Sequence, residues 1–346
     1  MLQCFWEELI LKQILITGGA GYLGLNISLS LLNQTSEIVI VDDMKNSFEE
    51  HISVLIENFG SRVSFYQGDV CDYNFMKSIF EKHSFDNVIH LAAYKYVGES
   101  VEKPELYKTN NIESLKTILN LCEEFNVSRL SFASSAVVYG NTGSTPINED
   151  CTLSPLSPYA KTKCAGEEII KQWHTQTKIP ATIFRFSNPA GSNTKFMFGD
   201  HSKKGFDNLI PYIVESAIND NEMTFKGNDH PTRDGTPVRD YIHVTDLADI
   251  VATVLNTSRD SGVEILNVSR GTGFSLLEIV LTTEKLLNKK LKYQFTNRNN
   301  NESSVSILDS TKLTQNYSTI HKFGLKEIIS SQIEFYKHIS SKEFKF

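Results

Sequence analysis

The stretch Gln13-Ile-Leu-Ile-Thr-Gly-Gly-Ala-Gly-Tyr-Leu-Gly24 decides the fold of this chain. Its first part, residues 13–16, is short and β-branched, so it predicts a buried parallel strand that leads into the N-terminus of a helix. Glycines in such a turn let the backbone approach an anion and let the helix pack closely on the strand. The unpaired N–H groups and the positive end of the helix dipole then face negative charge. The stretch therefore predicts a cradle for the pyrophosphate of a dinucleotide.

A carboxylate follows the second predicted strand. Residues 37–41 have the pattern of a buried strand, and Asp42 comes directly after it, eighteen residues beyond Gly24. An acid at this place accepts hydrogen bonds from both hydroxyls of an adenosine ribose and repels a 2′-phosphate, so the sequence favours NAD over NADP. Asp69 and Val70 follow the third predicted strand, where contact with the adenine and a simple helix cap are both open interpretations.

A tyrosine and a lysine form the second chemical signal. Tyr159-Ala-Lys-Thr-Lys163 lies in a predicted helix, and the spacing of four residues places Tyr159 and Lys163 on one helical face. A cation beside a phenol favours the phenolate, which at neutral pH requires about 4 kcal/mol of stabilisation. An ammonium about 4 Å away nearly supplies this, about 4 kcal/mol at an effective dielectric of 20, and the positive nicotinamide of NAD adds to it until hydride arrives. The pair therefore predicts a tyrosinate base.

Composition describes a globular chain without features for nucleic acid or membrane binding. The 346 residues are 40% hydrophobic and carry a net charge of −7 with no long basic run. Nothing in this charge supports a nucleic acid or a membrane surface as partner. The five cysteines are odd in number and lack metal-ligand spacing, so we expect reduced thiols in the cytoplasm and no metal site. Residues 1–10 carry two acids and no basic region, which matches neither a signal peptide nor a membrane span.

Strand and helix patterns alternate along the first half of the chain. The predicted strands are residues 13–16, 37–41, 63–66, 87–91, 130–133 and 181–185. The predicted helices are residues 25–33, 48–58, 73–82, 112–125, 159–175, 209–218 and 244–255, the last within a helical stretch 239–257 that returns to the sheet. This order predicts an α/β fold of the Rossmann type, a doubly wound parallel sheet covered by helices on both faces. We expect residues 1–187 with 239–262 to form the NAD-binding domain, and residues 188–238 with 263–346 a smaller substrate-binding α/β lobe.

Seven stretches of the chain carry a family resemblance. They are residues 16–24, 90–100, 134–140, 159–163, 185–191, 227–235 and 239–246. The chain resembles the extended short-chain dehydrogenase/reductases and, among these, the UDP-glucose (UDP-hexose) 4-epimerases. The dinucleotide motifs are common to the whole superfamily, whereas Lys95-Tyr-Val-Gly-Glu-Ser100 and residues 227–246 are closer to the epimerases. The resemblance implies NAD-dependent, reversible 4-epimerisation of UDP-glucose and UDP-galactose by a homodimer that associates through helices near residues 112–125 and 159–175.

The resemblance also implies a mechanism with Ser135, Tyr159 and Lys163 as catalytic residues. An unactivated secondary alcohol carbon changes configuration only after temporary oxidation to a ketone. Tyr159 as phenolate takes the proton of the sugar 4-hydroxyl while hydride moves from C4 to the nicotinamide; the sugar then turns, and hydride returns to its other face. Ser135 hydrogen-bonds the reacting oxygen and relays its proton to Tyr159. Lys163 also holds the nicotinamide ribose.

Further site residues transfer from the family position by position. For the cofactor, the resemblance implies contacts from Gly18, Gly21, Tyr22, Leu23, Gly24, Asp42, Asp43, Asn46, Ser47, Asp69, Val70, Leu91, Ala92, Ala93, Lys95, Asn110, Tyr159 and Lys163. For the UDP-sugar, it implies contacts from Lys95, Ser135, Tyr159, Asn188, Asn208, Leu209, Arg239, Asp240, Arg298, Glu302 and Ser306. The forked guanidinium of Arg239 suits a diphosphate, although an Arg-Asp pair is also the pattern of a structural ion pair.

Several positions depart from the epimerase pattern. Ser187 stands where the family usually has Phe beside the nicotinamide, and Val137 replaces a common Thr. The family's Arg-Glu-Gly-Asp stretch appears here as Arg298-Asn-Asn-Asn-Glu302, so the second diphosphate arginine is Arg298 in a shifted register or is absent. In an ungapped register, Ser306 takes the place of a bulky Tyr that restricts some members to unsubstituted hexoses. A small residue leaves room for an N-acetyl group, which predicts activity on UDP-N-acetylhexosamines as well.

Two other functions stay open at the level of the sequence. One is an epimerase or decarboxylase acting on another nucleotide sugar such as UDP-glucuronate, for which we identify no dedicated groups toward a C6 carboxylate. The other is a non-catalytic NAD-sensing regulator, against which the intact Ser135, Tyr159 and Lys163 argue. A 4,6-dehydratase is disfavoured because that class places Thr-Asp-Glu where this chain has Ser135-Ala-Val137.

Overall fold

Strands and helices alternate along the chain in a computed structural model that describes residues 12–34, 36–143, 145–203, 205, 208–257, 262–298 and 303–341. The strands are β1 (Lys12–Thr17), β2 (Ser36–Asp42), β3 (Val63–Gln67), β4 (Asn87–His90), β5 (Arg129–Ser135), β6 (Ala181–Phe186), β7 (Asn188–Ala190), β8 (Ser192–Asn193), β9 (Phe198–Gly199), β10 (Met223–Lys226), β11 (Val238–His243), β12 (Val263–Val268), β13 (Gly273–Ser275), β14 (Tyr293–Thr296) and β15 (Val305–Ser306). The helices are α1 (Tyr22–Leu32), α2 (Glu49–Phe59), α3 (Tyr73–Phe80), α4 (Val97–Glu102), α5 (Pro104–Glu124), α6 (Pro158–Thr177), α7 (Leu209–Ile218), α8 (Val244–Thr257), α9 (Leu276–Leu287), α10 (Thr311–Tyr317) and α11 (Leu325–Ser341).

A seven-stranded parallel sheet forms the centre of the fold. Its order is β12-β6-β5-β4-β1-β2-β3, and each neighbouring pair is parallel. The chain builds outward from β1 to β3 and then continues on the other side of β1 with β4. This order confirms the predicted Rossmann-type doubly wound sheet. In such a sheet, ligands bind beyond the carboxyl ends of the strands at the switch point, which here lies between β1 and β4.

Two hydrophobic clusters cover the two faces of this sheet. Ile14 and Ile16 of β1 pack in one cluster with residues of α1, α2 and α8. Leu15 packs in the other cluster with residues of α3, α5 and α6. Successive strand residues thus point into opposite cores, as parallel strands with helices on both faces require. The burial of both faces explains why the strand sequences are almost continuously apolar.

A smaller set of strands lies outside the large sheet. Strand β11 pairs with β13, β15 and β7, while β10 pairs with β14. A third hydrophobic cluster joins these strands to α7, α9 and α11. This arrangement places a second layer of structure beside the carboxyl ends of the large sheet.

Two boundaries differ from the sequence prediction. Residues 239–243 were predicted as the start of a helix, but they belong to β11, and α8 begins only at Val244. This segment pairs with neighbouring strands on both sides. The pairing stabilises it as a strand and outweighs its helical propensity. Residues 263–346 were predicted for the second lobe, yet β12 is the edge strand of the large sheet beside β6. The remaining division of the chain into two lobes stays a prediction.

Within the described ranges, no helix has both the length and the apolar character needed to cross a membrane.

Candidate active site

The glycine-rich turn after β1 is packed as closely as backbone allows. Gly18 has a φ of 70° and its N–H donates to the carbonyl of Val41 over 2.7 Å. A Cβ on Gly18 would lie 2.8 Å from the nitrogen of Ala92, and one on Gly24 would lie 2.4 Å from the Cα of Gly19. Gly21 is the N-cap of α1 and caps no helical N–H with a side chain, and the first turn holds no acid. The N-terminus of α1, where Tyr22 and Leu23 lie, therefore fits an external anion such as a pyrophosphate.

The end of β2 carries the acid predicted to bind the adenosine ribose. The Asp42 carboxylate accepts the N–H groups of Ala20 over 3.2 Å and of Met44 over 2.9 Å. Burial raises the pKa of Asp42, and these backbone hydrogen bonds together with Ser47 oppose the rise. The Oδ1 atom of Asn46 is buried without a hydrogen-bond partner among the described residues. A carboxylate and an orphaned amide oxygen in one turn fit the hydroxyls of a ribose.

Neighbouring residues of this region have local partners. Asp43 forms an ion pair with Lys45 over 2.7 Å. The carboxylate of Asp69 accepts the N–H of Cys71 over 2.9 Å, and Val70 is buried. Asp69 thus closes a turn after β3, and its contact with an adenine stays a prediction.

The loop after β4 lies against the glycine-rich turn, and an asparagine that the sequence prediction missed fixes it. Residues 91–93 follow β4, and Ala92 approaches the glycine turn at Gly18. Asn111 on α5 accepts the N–H of Tyr94 over 2.8 Å and donates to the Tyr94 carbonyl and to Thr162 on α6. The predicted Asn110 donates to the Asn111 side chain. Two adjacent asparagines on a helix were the available signal, but only the fold shows which one faces the loop.

Ser135, Tyr159 and Lys163 meet at the carboxyl edge of the large sheet. Ser135 is the last residue of β5. Ser157 caps α6 by accepting the N–H of Ala160 over 3.1 Å, which fixes Tyr159 in the first turn. Lys163 is buried, its Nζ donates to the carbonyl of Ala133 over 2.7 Å, and it lies 5.9 Å from the Tyr159 ring centroid. The strand end and the helix start thus bring the predicted catalytic residues together.

Burial shifts the pKa values of both Tyr159 and Lys163. Burial raises the pKa of Tyr159 to about 12, and the Ser135 hydroxyl partly lowers it. Burial lowers the pKa of Lys163 to about 8, and the negative charge of Glu167 opposes that change. Burial thus disfavours both charged forms, and the ammonium hydrogen-bonds to Ala133, so the phenolate stays a prediction that depends on the positive nicotinamide as well as on Lys163.

A buried histidine lies beneath the site and was missed by the sequence prediction. His90 Nδ1 hydrogen-bonds to Thr17 Oγ1 over 2.8 Å, and its Nε2 faces Ser114 on α5 at 3.5 Å. Burial, aided by the charge of Lys163, lowers the pKa of His90 to about 3. The neutral imidazole therefore bridges β1, β4 and α5 at the switch point.

On the substrate side, Asn188 and Asp240 are joined through the backbone. The Asn188 amide donates to the carbonyl of Asp240 over 2.8 Å. The Asp240 carboxylate is buried and accepts the N–H groups of Arg270 over 3.1 Å and of Gly271 over 3.0 Å. Burial raises the pKa of Asp240 to about 6, and these backbone hydrogen bonds oppose the rise. Asp240 thus anchors a loop, and its direct contact with a substrate stays a prediction.

Arg239 and Ser306 are partners across two parallel strands. In the register of β11 and β15, the Cα of Arg239 lies opposite that of Ser306. Aligned residues of paired strands point to the same face of a sheet, so the serine side chain lies beside the arginine. The structure therefore brings a small residue next to the predicted diphosphate contact.

The start of α7 and the loop after β4 hold three of the other predicted substrate residues. Asn208 and Leu209 form the start of α7, and the Asn208 amide donates to the carboxylate of Asp200. Lys95 Nζ lies 3.7 Å from the same carboxylate. Asp200, which the sequence prediction did not include, thus connects the loop after β4 with the start of α7.

The C-terminal stretch is described only in part. The Arg298 guanidinium lies 3.8 Å from the carboxylate of Asp229, in the loop after β10. Arg298 thus lies against residues 227–230, and its contact with a diphosphate stays a prediction. The predicted Glu302 lies outside the described residues.

Two further observations concern cofactors. Ser187 Oγ is buried at the end of β6 and has no hydrogen-bond partner among the described residues. Across the same ranges, no three His, Cys, Asp or Glu side chains gather in an arrangement that could hold a metal ion. The orphaned hydroxyl sits directly before Asn188, so it belongs to the same site.

Fold and site together define a Rossmann-type enzyme that uses a dinucleotide. Residues 14–269 match the NAD dependent epimerase/dehydratase family, and the chain belongs to this family. It is 36% identical over 321 residues to a UDP-glucose 4-epimerase of Bacillus subtilis, covering 91% of this chain and 94% of that protein.

Solved structures agree with this assignment. The structure of UDP-glucose 4-epimerase from Bifidobacterium longum in complex with NAD+ and UDP has a TM-score of 0.90 and 31% identity, covering 94% of this chain and 98% of that one. The UDP-Glc/GlcNAc 4-epimerase of Campylobacter jejuni has a TM-score of 0.83 and 27% identity, covering 94% of this chain and 99% of that one. The resemblance seen in the sequence is thereby confirmed.

Proposed function

We propose that this protein catalyses the NAD-dependent, reversible 4-epimerisation of UDP-hexoses and interconverts UDP-glucose and UDP-galactose. The observation that carries the proposal is the convergence of Ser135, Tyr159 and Lys163 at the carboxyl edge of the sheet that also carries the glycine-rich turn. The chain is also 36% identical to a UDP-glucose 4-epimerase over 91% of its length. This similarity supports the same reaction.

The cofactor is NAD. The closely packed turn at Gly18 and Gly24 and the uncapped N-terminus of α1 would hold its pyrophosphate. Asp42 and Asn46 would hold the adenosine ribose, with the other contacts carried over from the family. When bound, NAD would supply a hydride acceptor and a positive charge.

The chain's own residues then handle the proton. The phenol of Tyr159 has a raised pKa in the protein alone, so it becomes a base only where added positive charge stabilises the phenolate. As phenolate it accepts the proton of the sugar 4-hydroxyl and later returns it. Ser135 hydrogen-bonds the reacting oxygen. Lys163 lies on α6 one turn after Tyr159, and its ammonium hydrogen-bonds to Ala133 near the end of β5.

N-acetylated sugars are part of the proposed substrate range. Ser306 is small and lies opposite Arg239, so it adds little bulk beside the proposed diphosphate contact. The Campylobacter jejuni enzyme, named for UDP-Glc and UDP-GlcNAc, shares this fold at a TM-score of 0.83. We therefore propose that UDP-N-acetylglucosamine and UDP-N-acetylgalactosamine are also interconverted.

The proposed assembly is a homodimer in the cytoplasm. Val101 of α4, Leu106 of α5 and Leu156 just before α6 are 64%, 42% and 61% exposed, and these helices include those predicted to form the interface. Apolar side chains at such exposure fit burial against a second copy. Cys71, Cys122, Cys151 and Cys164 are free thiols, which fits a reducing compartment. Sedimentation of the purified protein as a monomer at micromolar concentration would contradict the dimer.

The proposed function is tested by incubating purified protein, without added cofactor, with UDP-galactose and separately with UDP-N-acetylgalactosamine. Appearance of the C4 epimer is followed by chromatography or NMR. Conversion of both substrates is expected. Conversion of UDP-galactose alone would refute the proposed role of Ser306, and conversion of neither by NAD-containing protein would refute the epimerase.

The Tyr159→Phe variant provides the control for this assay. It removes one hydroxyl and keeps the ring, so we expect NAD to stay bound and turnover to fall by at least about 10²-fold, the usual contribution of a general base. Unchanged turnover in this variant would mean that another group moves the proton.

A further inference from the structure

A carboxylate buried beneath the catalytic residues connects the elements that carry them. Glu167 is 0% exposed and lies on α6, one turn after Lys163 and two turns after Tyr159. Arg185 of β6 forms a bidentate ion pair with it: Nε donates to Oε1 over 3.0 Å, and Nη2 donates to Oε2 over 2.6 Å. Ser134 of β5 donates its hydroxyl to Oε1 over 2.5 Å. One side chain therefore joins α6, β5 and β6.

Each of these attachments is adjacent to a residue of the site. Ser134 directly precedes Ser135, and Arg185 lies two residues before Ser187 and three before Asn188. A fully hydrogen-bonded buried network fixes a unique geometry, and each bond in it depends on the others. We infer that Glu167 is a positioning residue, which sets the distance between the Ser135 strand end and the Tyr159–Lys163 helix face. This inference rests on the proposed function.

Arg185 extends the network away from the site. Its Nη1 donates to the hydroxyl of Tyr139 and to the carbonyl of Glu149, both over 2.9 Å. Tyr139 in turn donates to Asn267, next to the end of β12, over 2.6 Å. The guanidinium is therefore held on its far side as well, so the carboxylate has a fixed partner rather than a mobile one.

Glu167 also acts on the charge of Lys163. The groups around these two side chains are Tyr159 and Cys164 on α6, His90 on β4, Arg185 on β6 and Tyr139 in the turn after β5. Of these, His90 is neutral at physiological pH because its pKa is about 3, and Arg185 is cationic. Glu167 is the nearby anion that opposes the effect of burial on the Lys163 ammonium.

The test compares Glu167→Gln with Glu168→Gln. Glu168 is the next residue on the same helix, with its side chain 60% exposed and 3.9 Å from Lys171, so its variant controls for the loss of one acid from α6. The measurement is kcat and KM for UDP-galactose across pH, together with the thermal unfolding of each protein. In Glu167→Gln, we expect kcat to fall at least tenfold, KM to change little, and the alkaline fall of kcat/KM to move about one pH unit lower, a typical shift for one lost neighbouring charge.

Glu168→Gln is expected to keep the parental profile. If Glu167→Gln folds and keeps the parental position of the alkaline limb and the parental kcat, the inference is overturned. Glu167→Asp keeps the charge and shortens the side chain. The alkaline fall of kcat/KM should therefore lie at the parental pH, while kcat stays below the parental value.

A second variant serves if Glu167→Gln does not fold. Ser134→Ala removes only the hydrogen bond between β5 and the carboxylate and changes no charge. We expect a several-fold loss of kcat with KM and the pH profile unchanged. Parental kcat in this variant would overturn the positioning role.

One readout separates this inference from the proposed function. Competitive labelling of lysine amines with acetic anhydride, quantified on the peptide that contains Lys163, reports when that amine loses its proton, whether or not the protein epimerises UDP-hexoses. If the parent protein converts no UDP-hexose but Lys163 is labelled at lower pH in Glu167→Gln, the proposed function fails and the electrostatic part of the inference stands. Equal labelling of Lys163 in both proteins overturns that part.

Discussion

Replacement of Gly24 by alanine tests the close packing of α1 on the glycine-rich turn. The added Cβ would lie 2.4 Å from the Cα of Gly19 and 2.6 Å from the carbonyl oxygens of Gly18 and Gly19. Carbon atoms in favourable contact are roughly 3.5 Å apart, so the helix must move from the turn by about 1 Å. The neighbouring atoms are backbone and cannot rotate away, so the whole cradle must widen.

The magnitude follows from two opposing terms. Overpacking of a tight site typically costs 1–3 kcal/mol, roughly, and alanine in place of glycine within a helix returns at most about 1 kcal/mol. We expect a net loss of about 1–2 kcal/mol in the free energy of unfolding, which lowers Tm by a few degrees for a chain of this size. Because the widened turn no longer presents its N–H groups to one anion, NAD should bind at least tenfold more weakly, or about 1.4 kcal/mol.

The assay measures NAD released from the purified protein and the Tm of the same sample. Gly98→Ala is the matched control, since Gly98 lies in α4 and a Cβ there meets no atom within 4 Å. The control should keep the parental NAD content. A Gly24→Ala protein with parental NAD content and Tm would refute the argument that this glycine is required for the approach of α1.

The remaining predictions concern acid stability and substrate size. Because the folded protein lowers the pKa of His90 to about 3, the unfolded chain takes up this proton first, and stability falls as pH drops from about 6.5 toward 3. The free energy of unfolding should be about 2 kcal/mol lower at pH 5 than at pH 7. Urea unfolding at the two pH values measures this loss. An equally steep loss in His90→Asn would contradict its assignment to His90. Ser306→Tyr should reduce turnover of UDP-N-acetylgalactosamine at least tenfold, or about 1.4 kcal/mol in the barrier, and leave UDP-galactose turnover near parental. Comparison of kcat/KM for the two sugars checks this, and equal losses would argue against a size gate.

The alternation of β1 to β6 with their helices was predictable because each element carries its own signal. Apolar β-branched runs marked the strands, and the glycines after β1 marked the turn. Residues 263–268, which form β12, were placed in the second lobe because their partner strand, β6, lies about eighty residues earlier in the chain. Short-range patterns contain no information on which of two sheets an isolated strand joins.

Site residues were predictable where their type and spacing indicate one kind of chemistry. They were not predictable where burial determines the pKa or the contacts of the side chain. Tyr159 and Lys163 stand out by spacing, yet their pKa values depend on desolvation that only the packed structure reveals. Glu167 gave no signal, because a glutamate among polar residues of a helix has the same pattern whether it is exposed or fully buried. Its partner Arg185 comes from a strand that only the fold brings beside it.

Strand β11 continues into α8 without a loop, since the strand ends at His243 and the helix begins at Val244. Helix α8 packs along α1, where Ser30 donates to Asp249 over 2.7 Å. Packed elements thus connect Arg239 of β11 with α1, which follows the glycine-rich turn. If Arg239 holds the substrate nucleotide and the glycine-rich turn holds the dinucleotide, as predicted, we expect the two ligands to keep a constant separation. We then expect inversion at the sugar to use torsions within the ligand rather than movement between these elements.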